Sequence, residues 1–182
     1  MNLFVEPATK AKTTYVATNM RADDWHEISC QVPDTVSRSD AGAMCFDMSP
    51  HGLRHILTEN DMPIFAFGLS GSMTPGLFSA WGFGTEDFTA RHVFGLSSFI
   101  MTVLLPRARD EFRIRRVEIR SLASRKATAR WIASLGATLE CELPLFGAHG
   151  EPFLQWAFTE PRNSINTSLR EVSLHPEHEV LQ

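Results

Sequence analysis

The stretch Arg125-Lys-Ala-Thr-Ala-Arg-Trp-Ile-Ala-Ser-Leu-Gly-Ala137 predicts a helix that ends in an abrupt turn. Between residues 126 and 135 its apolar side chains recur on one face, which is typical of an amphipathic helix. Gly136 stands just after the last apolar position, where a left-handed residue commonly ends a helix. The alternating segment 117–120 before the helix and the segment 137–143 after it each predict a strand. The sequence therefore predicts a strand–helix–strand unit in which a helix covers a sheet.

Outward from this unit, similar patterns predict the other elements. Strands are predicted where aromatic and branched residues cluster between turn residues, at 15–18, 62–69, 76–84 and 153–159. Helices are predicted at 21–30, which opens with acidic residues, at 50–59, which follows a start signal, and at 94–111, where apolar residues recur at helical spacing. Ser49-Pro50 is the start signal for the second helix, and Pro106 should kink or shorten the third. The segment 31–48 is interpreted as a loop or broken helix.

This order of elements predicts an α/β (α+β) fold in which helices flank a mixed central β-sheet. One domain is expected over residues 13–160, because a chain of 182 residues can bury a core without disulfides or a structural metal. The polar segment 1–12 is expected to be a flexible N-terminal arm, and the patternless segment 161–182 an extended C-terminal tail.

Composition excludes several functional classes. The 17 basic and 21 acidic residues give a net charge of −4, which argues against a dedicated nucleic-acid-binding protein. The apolar run 99–105 is too short to cross a bilayer, and residues 1–18 lack the apolar centre of a signal peptide. The three cysteines form no Cys-x-x-Cys pattern and are expected to be reduced and buried. We expect a protein that is not secreted through a signal peptide and does not bind membranes.

Three further motifs have a functional and a simpler interpretation. His51 and His55 have a spacing that a zinc site can use on a helix, but Gly52 replaces the glutamate of the metalloprotease pattern, so no metal is expected. Ser70 resembles the serine of a nucleophile elbow without its closing glycine, and is interpreted as a turn residue. Six arginines between 107 and 120 form either an exposed charged face or an interaction surface.

The segment 117–140 resembles the second half of a Gcn5-related N-acetyltransferase (GNAT) domain, where a strand leads into a helix ending in Leu-Gly-Phe or Leu-Gly-Ala. Met20-Arg21-x-Asp23 and Trp81-Gly-Phe-Gly-Thr85 resemble the opening and the central strand of a divergent branch encoded by short-tailed bacteriophages. The resemblance covers residues 14–160. It implies a GNAT-like fold and an acetyl-CoA site at the turn before the long helix.

In that family a glycine-rich loop holds the coenzyme pyrophosphate on bare N–H groups at a helix N-terminus. The corresponding segment here is 84–92, in which the resemblance assigns Gly84, Thr85, Arg91 and His92 to cofactor binding if acetyl-CoA binds. This turn has a single glycine, and Glu86 and Asp87 stand where the phosphates would lie, which opposes anion binding.

The catalytic groups of the family are also incomplete. The resemblance places Ile132, which has no proton to donate, where many members have the tyrosine that protonates the departing thiolate. The catalytic residues are therefore unknown. Glu118 and Glu140 remain candidates for a general base, and each is also explained as a charge on the surface of a strand.

These features lead us to expect a virion-associated or assembly protein of a phage that uses a GNAT-like scaffold without acetyltransferase activity or cofactor. Its expected partners are other virion proteins and further copies of itself, and its expected location is the virion or the host cytoplasm. The alternative is an acetyl-CoA-dependent N-acetyltransferase, and a third option is a small-ligand binding module. An open, splayed cleft beside Gly84 would favour the enzyme.

Overall fold

The computed structural model describes residues 3–159, and these form seven strands and six helices with a π-helical segment. The elements in chain order are β1 (Leu3–Pro7), α1 (Lys10–Thr18), α2 (Ala22–Ser29), α3 (Arg38–Asp47), β2 (Arg54–Glu59), β3 (Met62–Gly71), β4 (Leu77–Gly84), α4 (Ala90–Phe99), the π-helical segment Ile100–Leu104, α5 (Leu105–Phe112), β5 (Arg116–Leu122), α6 (Lys126–Ser134), β6 (Thr138–Leu143) and β7 (Phe153–Thr159).

All seven strands belong to one sheet in the order β1-β2-β3-β4-β5-β7-β6. Every neighbouring pair is antiparallel except β4 and β5, which are parallel. The parallel pair follows from the helical crossover between β4 and β5, because parallel neighbours need a long connection. The predicted mixed central sheet flanked by helices is confirmed.

Two apolar layers cover the sheet from opposite faces. On one face, Leu96 and Leu104 of the long helical stretch pack against Leu57 and Phe65 of the sheet. On the other face, side chains of α1 and α2 pack against Phe83 of β4. At Gly42, an added Cβ would lie 2.4 Å from the Cβ of Ala17, so α1 and α3 can only approach this closely with glycine there.

The long helix predicted at 94–111 is confirmed, although it begins earlier, at Ala90. Pro106 does not end it, because the chain continues from α4 through the π-helical segment into α5. Leu105 donates its N–H to the carbonyl of Ile100, five residues back. Since proline has no N–H to donate, the wider turn accommodates the donor lost at Pro106.

The first 18 residues differ from their prediction. Residues 3–7 of the expected arm form β1, in which Leu3 and Val5 pack against the core while the strand pairs with β2. The expected strand at 15–18 lies inside α1, which begins at the N-cap Thr9. The flexible-arm prediction is wrong over 3–12 because a short apolar run can gain a distant strand partner that no local pattern reveals.

Two further segments can be compared with their predictions. The segment 31–48, interpreted as a loop or broken helix, contains a loop and then α3, which begins with a capping box between Ser37 and Asp40. The helix expected at 50–59 is instead a turn followed by β2. Gly52 has a φ of +93° and interrupts any helix, and β2 is a central strand buried on both faces. A continuous apolar strand of this kind resembles a helix in sequence.

The strands predicted at 62–69, 76–84, 117–120, 137–143 and 153–159 and the helices at 21–30 and 126–135 are confirmed. Gly136 has a φ of +86°, as expected for the residue that ends α6. Within the described residues no helix is long and apolar enough to cross a membrane. The expected tail at 161–182 lies outside the described residues.

His55 is a strand residue in the core, so it does not share a helix face with the exposed His51. Its ring stacks on Phe67 and meets the edge of Phe99. Burial, with a smaller contribution from the charge of Arg107, lowers the pKa of His55 from 6.5 to about 4. The folded protein therefore keeps this imidazole neutral under conditions in which the unfolded chain protonates it.

This difference makes stability fall as the pH decreases. Above pH 6.5 the His55 imidazole is neutral in both the folded and the unfolded protein. Below pH 6.5 the unfolded chain binds a proton at this imidazole, which the folded protein binds only near pH 4. Between roughly pH 7.5 and pH 5 the free energy of unfolding should drop by about 2 kcal/mol through His55 alone. Urea titrations of the His55→Phe variant should lack this contribution, whereas the exposed control His51→Gln should keep it. Equal pH dependence in all three proteins would contradict the assignment.

Candidate functional site

Strands β4 and β5 run together only at their first residues. Their pairing joins Leu77 with Arg116, Phe78 with Val117 and Ser79 with Glu118, and no later residues pair. Beyond this point the remaining residues of β4 and β5 diverge. The result is a V-shaped gap in the centre of the sheet, open towards Gly84 at the end of β4.

A cleft of about 300 Å³ occupies this gap. Its walls are apolar on three sides, with Phe83 from β4, Ile100 and Leu104 from the π-helical segment, and Trp131 and Ile132 from α6. This volume lies at the lower end of the range for small-molecule sites, and such sites are typically apolar with a few placed polar groups.

The polar groups of the cleft are supplied by the β4 backbone. Thr85 donates its N–H to Ile64 of β3, and antiparallel pairing alternates, so the N–H and C=O groups of Ala80, Gly82 and Gly84 point away from β3. The last parallel pair, Ser79 with Glu118, uses the N–H of Ala80, and among the described residues no strand pairs with Gly82 on that side. The cleft therefore presents an unpaired strand edge whose side chains are methyl or hydrogen.

At its wide end, α2 bridges the two diverging strands. Asp24 accepts the N–H of Gly84 at 2.9 Å, and Glu27, one helical turn later, accepts the N–H of Leu122 at 3.0 Å. These carboxylates lie one turn apart on the same face of the helix, because residues three apart are neighbours there. Each carboxylate thus satisfies an inward-facing N–H at the end of one strand.

Arg125, the residue before α6, joins the two carboxylates. Its guanidinium lies 2.7 Å from Asp24 and 3.3 Å from Glu27. Burial raises the pKa of Glu27 and outweighs the opposing effect of Arg125. We call Asp24, Glu27 and Arg125 the ionic clasp. It closes the wide end of the cleft with the chain's own charges.

The α2 face of the cleft carries a second charged group at the apex. Val117 packs in the core below α4, so the next residue, Glu118, points to the opposite face and lines the cleft. Its carboxylate lies 2.8 Å from Arg116 and 3.4 Å from Arg120. Glu140, the other candidate base, lies on β6, pairs with Arg116 and does not line this cleft.

The turn that the resemblance assigned to the cofactor uses many of its groups internally. Thr85 is buried, and Gly84 donates its N–H to Asp24. Arg91 binds Glu59 at 2.8 Å. The fully buried His92 accepts the N–H of Thr89 on Nδ1, which caps α4. The side chains of Arg91 and His92 therefore already have protein partners, and the assignment of these four residues to a cofactor stays a prediction.

Nearby nucleophiles and ligating groups do not form another site. Burial raises the pKa of the Cys45 thiol to about 12, and Cys141 is exposed rather than buried as expected. Ser70 lies within β3 rather than in a turn, and its hydroxyl bonds that of Ser49. Over residues 3–159, no cluster of three or more His, Cys, Asp or Glu side chains could hold a metal ion.

Sequence reasoning did not find the ionic clasp. None of Asp24, Glu27 and Arg125 was predicted from the sequence as a site residue. The contacts join residues about 100 positions apart in the chain. The one local signal was the spacing of the two acidic residues on one face of a predicted helix.

No protein-family model and no curated protein sequence matches the chain. Among solved structures, it is similar to yncA, a putative acetyltransferase from Salmonella typhimurium with its cofactor acetyl-CoA. The TM-score is 0.68 and the identity 14%, over 89% of this chain and 96% of that one.

Two further structures are similar at comparable length. The ribosomal-protein-S5-alanine acetyltransferase from Vibrio fischeri has a TM-score of 0.62 and 11% identity over 87% of this chain and 93% of its own. A GNAT-family acetyltransferase from Bacillus anthracis has a TM-score of 0.62 and 9% identity over 87% and 95%. At these identities the similarity concerns the fold alone. The chain has the fold of the Gcn5-related N-acetyltransferases.

Proposed function

We propose that the protein transfers the acyl group of acetyl-CoA to an amine, with the thioester arm of the coenzyme held between β4 and β5. The observation that carries this proposal is the end of strand pairing at Ser79 and Glu118, which leaves a cleft beside an unpaired strand edge. A scaffold that served only as a structural element could have closed this gap by continued pairing. The proposal therefore takes the alternative that the sequence left open.

The residues of the cleft fit the thioester arm of acetyl-CoA. That arm is narrow and contains two amides, which need hydrogen-bond partners in an otherwise apolar passage. The C=O of Ala80 and the backbone groups of Gly82 supply such partners, and the missing side chain at Gly82 accommodates the ring of Phe65, which would lie 3.0 Å from an added Cβ. Ile100 and Trp131 exclude water from the opposite wall. When bound there, acetyl-CoA would supply the activated acyl group.

Glu118 is the group best placed to take a proton from the attacking amine. It lies at the apex of the cleft, beside Ser79 in the register, on the face of the sheet that α2 covers. Attack of an amine nitrogen on the thioester carbon forms the amide bond, breaks the carbon–sulfur bond and releases one proton. The Glu118 carboxylate can accept that proton, and the sulfur can leave as a thiolate, since thiols have pKa values near 8.5.

A non-catalytic role in a phage particle remains a prediction from the sequence resemblance. The acidic residues Glu86 and Asp87 in the turn before α4 favour it, because they weaken phosphate binding there. Mass spectrometry of purified particles tests this role separately. Finding the protein in particles together with an absence of acetyl-CoA binding would select the structural role.

Filling the cleft should weaken coenzyme binding strongly. Ala80→Trp places an indole against the cleft wall, so calorimetry should show at least a thirtyfold loss of acetyl-CoA affinity, on the order of 2 kcal/mol. The control Ala133→Trp makes the same change on the exposed face of α6 and should bind as the parent does. Thermal unfolding without ligand checks that both variants fold. The cleft assignment fails if the parent shows no binding, or if both variants bind equally.

Removing the carboxylate at the apex should slow transfer without weakening binding. Glu118→Gln should lower kcat/KM by roughly a hundredfold or more, the usual contribution of a general base. Its Kd for acetyl-CoA should stay within about twofold of the parent value, because the thioester arm does not need this charge. Thiol release in the presence of a panel of peptide and small amines measures the rate. Glu140→Gln is the matched control and should keep full activity, and a similar loss in both variants would exclude the role of Glu118.

A further inference from the structure

Three donors converge on the single carboxylate of Asp24. The N–H of Gly84 lies 2.9 Å from it, Nε of Arg21 2.8 Å, and the guanidinium of Arg125 2.7 Å. The Asp24 side chain is 4% exposed, while those of Arg21 and Arg125 are 28% and 18% exposed. Asp24 thus carries one negative charge between two arginines, both of which reach solvent.

These donors also lie at the turn that leads into α4. Arg21 donates from Nη1 to the carbonyl of Phe88 at 3.3 Å, and its backbone N–H donates to the carbonyl of Gly84. Two arginines and a strand-end N–H beside a helix start make a donor set suited to a phosphate group. The turn before α4, which contains Glu86 and Asp87, lacks such donors. The two arginines and the Gly84 N–H lie beside this turn and supply them.

From this geometry we propose that Arg21, Arg125 and the Gly84 N–H form a phosphate-binding site that the chain's own Asp24 carboxylate occupies. The proposal rests on the proposed function, because the wide end of the cleft is where the phosphate end of acetyl-CoA would emerge. Binding exchanges a carboxylate for a phosphate on the same three donors. Asp24 then competes with the phosphate for these donors, and Arg21 and Arg125 are binding residues.

The position of Asp24 permits this exchange. It lies in the first turn of α2, next to the exposed residue Asp23. Its displacement leaves Glu27 on the N–H of Leu122, so the second strand keeps its partner. Arg125 retains one carboxylate through Glu27 and gains the phosphate in place of the other.

The test removes one charge and measures three ligands by calorimetry: acetyl-CoA, S-acetylpantetheine and adenosine bisphosphate carrying phosphates at the ribose 3′ and 5′ positions. Asp24→Asn keeps an oxygen that can accept the Gly84 N–H but no longer neutralises the two arginines. The variant should bind the bisphosphate and acetyl-CoA about tenfold more tightly than the parent. Its affinity for S-acetylpantetheine, which has no phosphate, should change by less than about twofold.

Asp23→Asn is the matched control, because it removes the same charge from the same helical turn on the exposed side. It should leave all three affinities within about twofold of the parent. Asp24→Asn/Arg125→Gln should lose the gain in bisphosphate affinity. Equal gains in the two single variants, or no gain in Asp24→Asn, would overturn the proposed site.

If Asp24→Asn does not fold, Arg21→Gln in the otherwise native chain decides the question. It should lower the affinity for acetyl-CoA at least about fivefold and leave the affinity for S-acetylpantetheine unchanged. Equal effects on both affinities would overturn the site.

The two proposals fail in different ways. A bisphosphate gain without any binding of S-acetylpantetheine supports the anion site and rejects the thioester cleft, whereas the reverse pattern rejects the anion site alone.

Discussion

The arrangement of the site depends on one constraint, the point at which β4 and β5 stop sharing hydrogen bonds. A parallel pair buried in the middle of a sheet would normally continue, because each unpaired backbone group in an apolar setting costs free energy. Here the pairing ends at Ser79 and Glu118, and the chain satisfies the outermost N–H groups with carboxylates from α2. Between these two points the β4 edge is available to a ligand. The same separation creates the cleft, exposes the apex and makes the ionic clasp necessary.

Buried charges in the clasp are matched rather than isolated. Asp24 and Glu27 would be costly beneath the sheet edge if either lacked a partner, and removal of one member of such a pair typically costs several kcal/mol. Arg125 contacts both, and Arg21 adds a second cation on Asp24. The cluster holds α2, the end of β4 and the start of α6 together. Its stabilising role and its proposed exchange with phosphate follow from the same set of contacts.

The sequence predicts those parts of the fold that depend on local chemistry. Gly136 ends α6 as expected, and the aromatic run of β3 forms a strand because its pattern and its surroundings agree. The errors arise where a distant partner decides the conformation. Residues 3–7 form a strand only because β2 lies beside them, and Ser49-Pro50 starts no helix because Gly52 and burial on both faces favour β2. The candidate site follows the same division. The sequence offered Glu118 and Glu140 as candidate bases, of which Glu118 lines the cleft, whereas it did not predict contacts across 100 residues.

Two tryptophan side chains line the cleft, so intrinsic fluorescence can report ligand binding. Trp131 and Trp81 both face this space, and their ring nitrogens are fixed by hydrogen bonds of 2.9 Å to Ser97 and 2.8 Å to Ser49. Trp25 and Trp156 do not line it. Emission from tryptophan depends on the water and the dipoles around the ring. A molecule that enters the cleft would therefore alter the fluorescence of two of the chain's four tryptophans. Occupancy can thus be followed in solution without attaching any label.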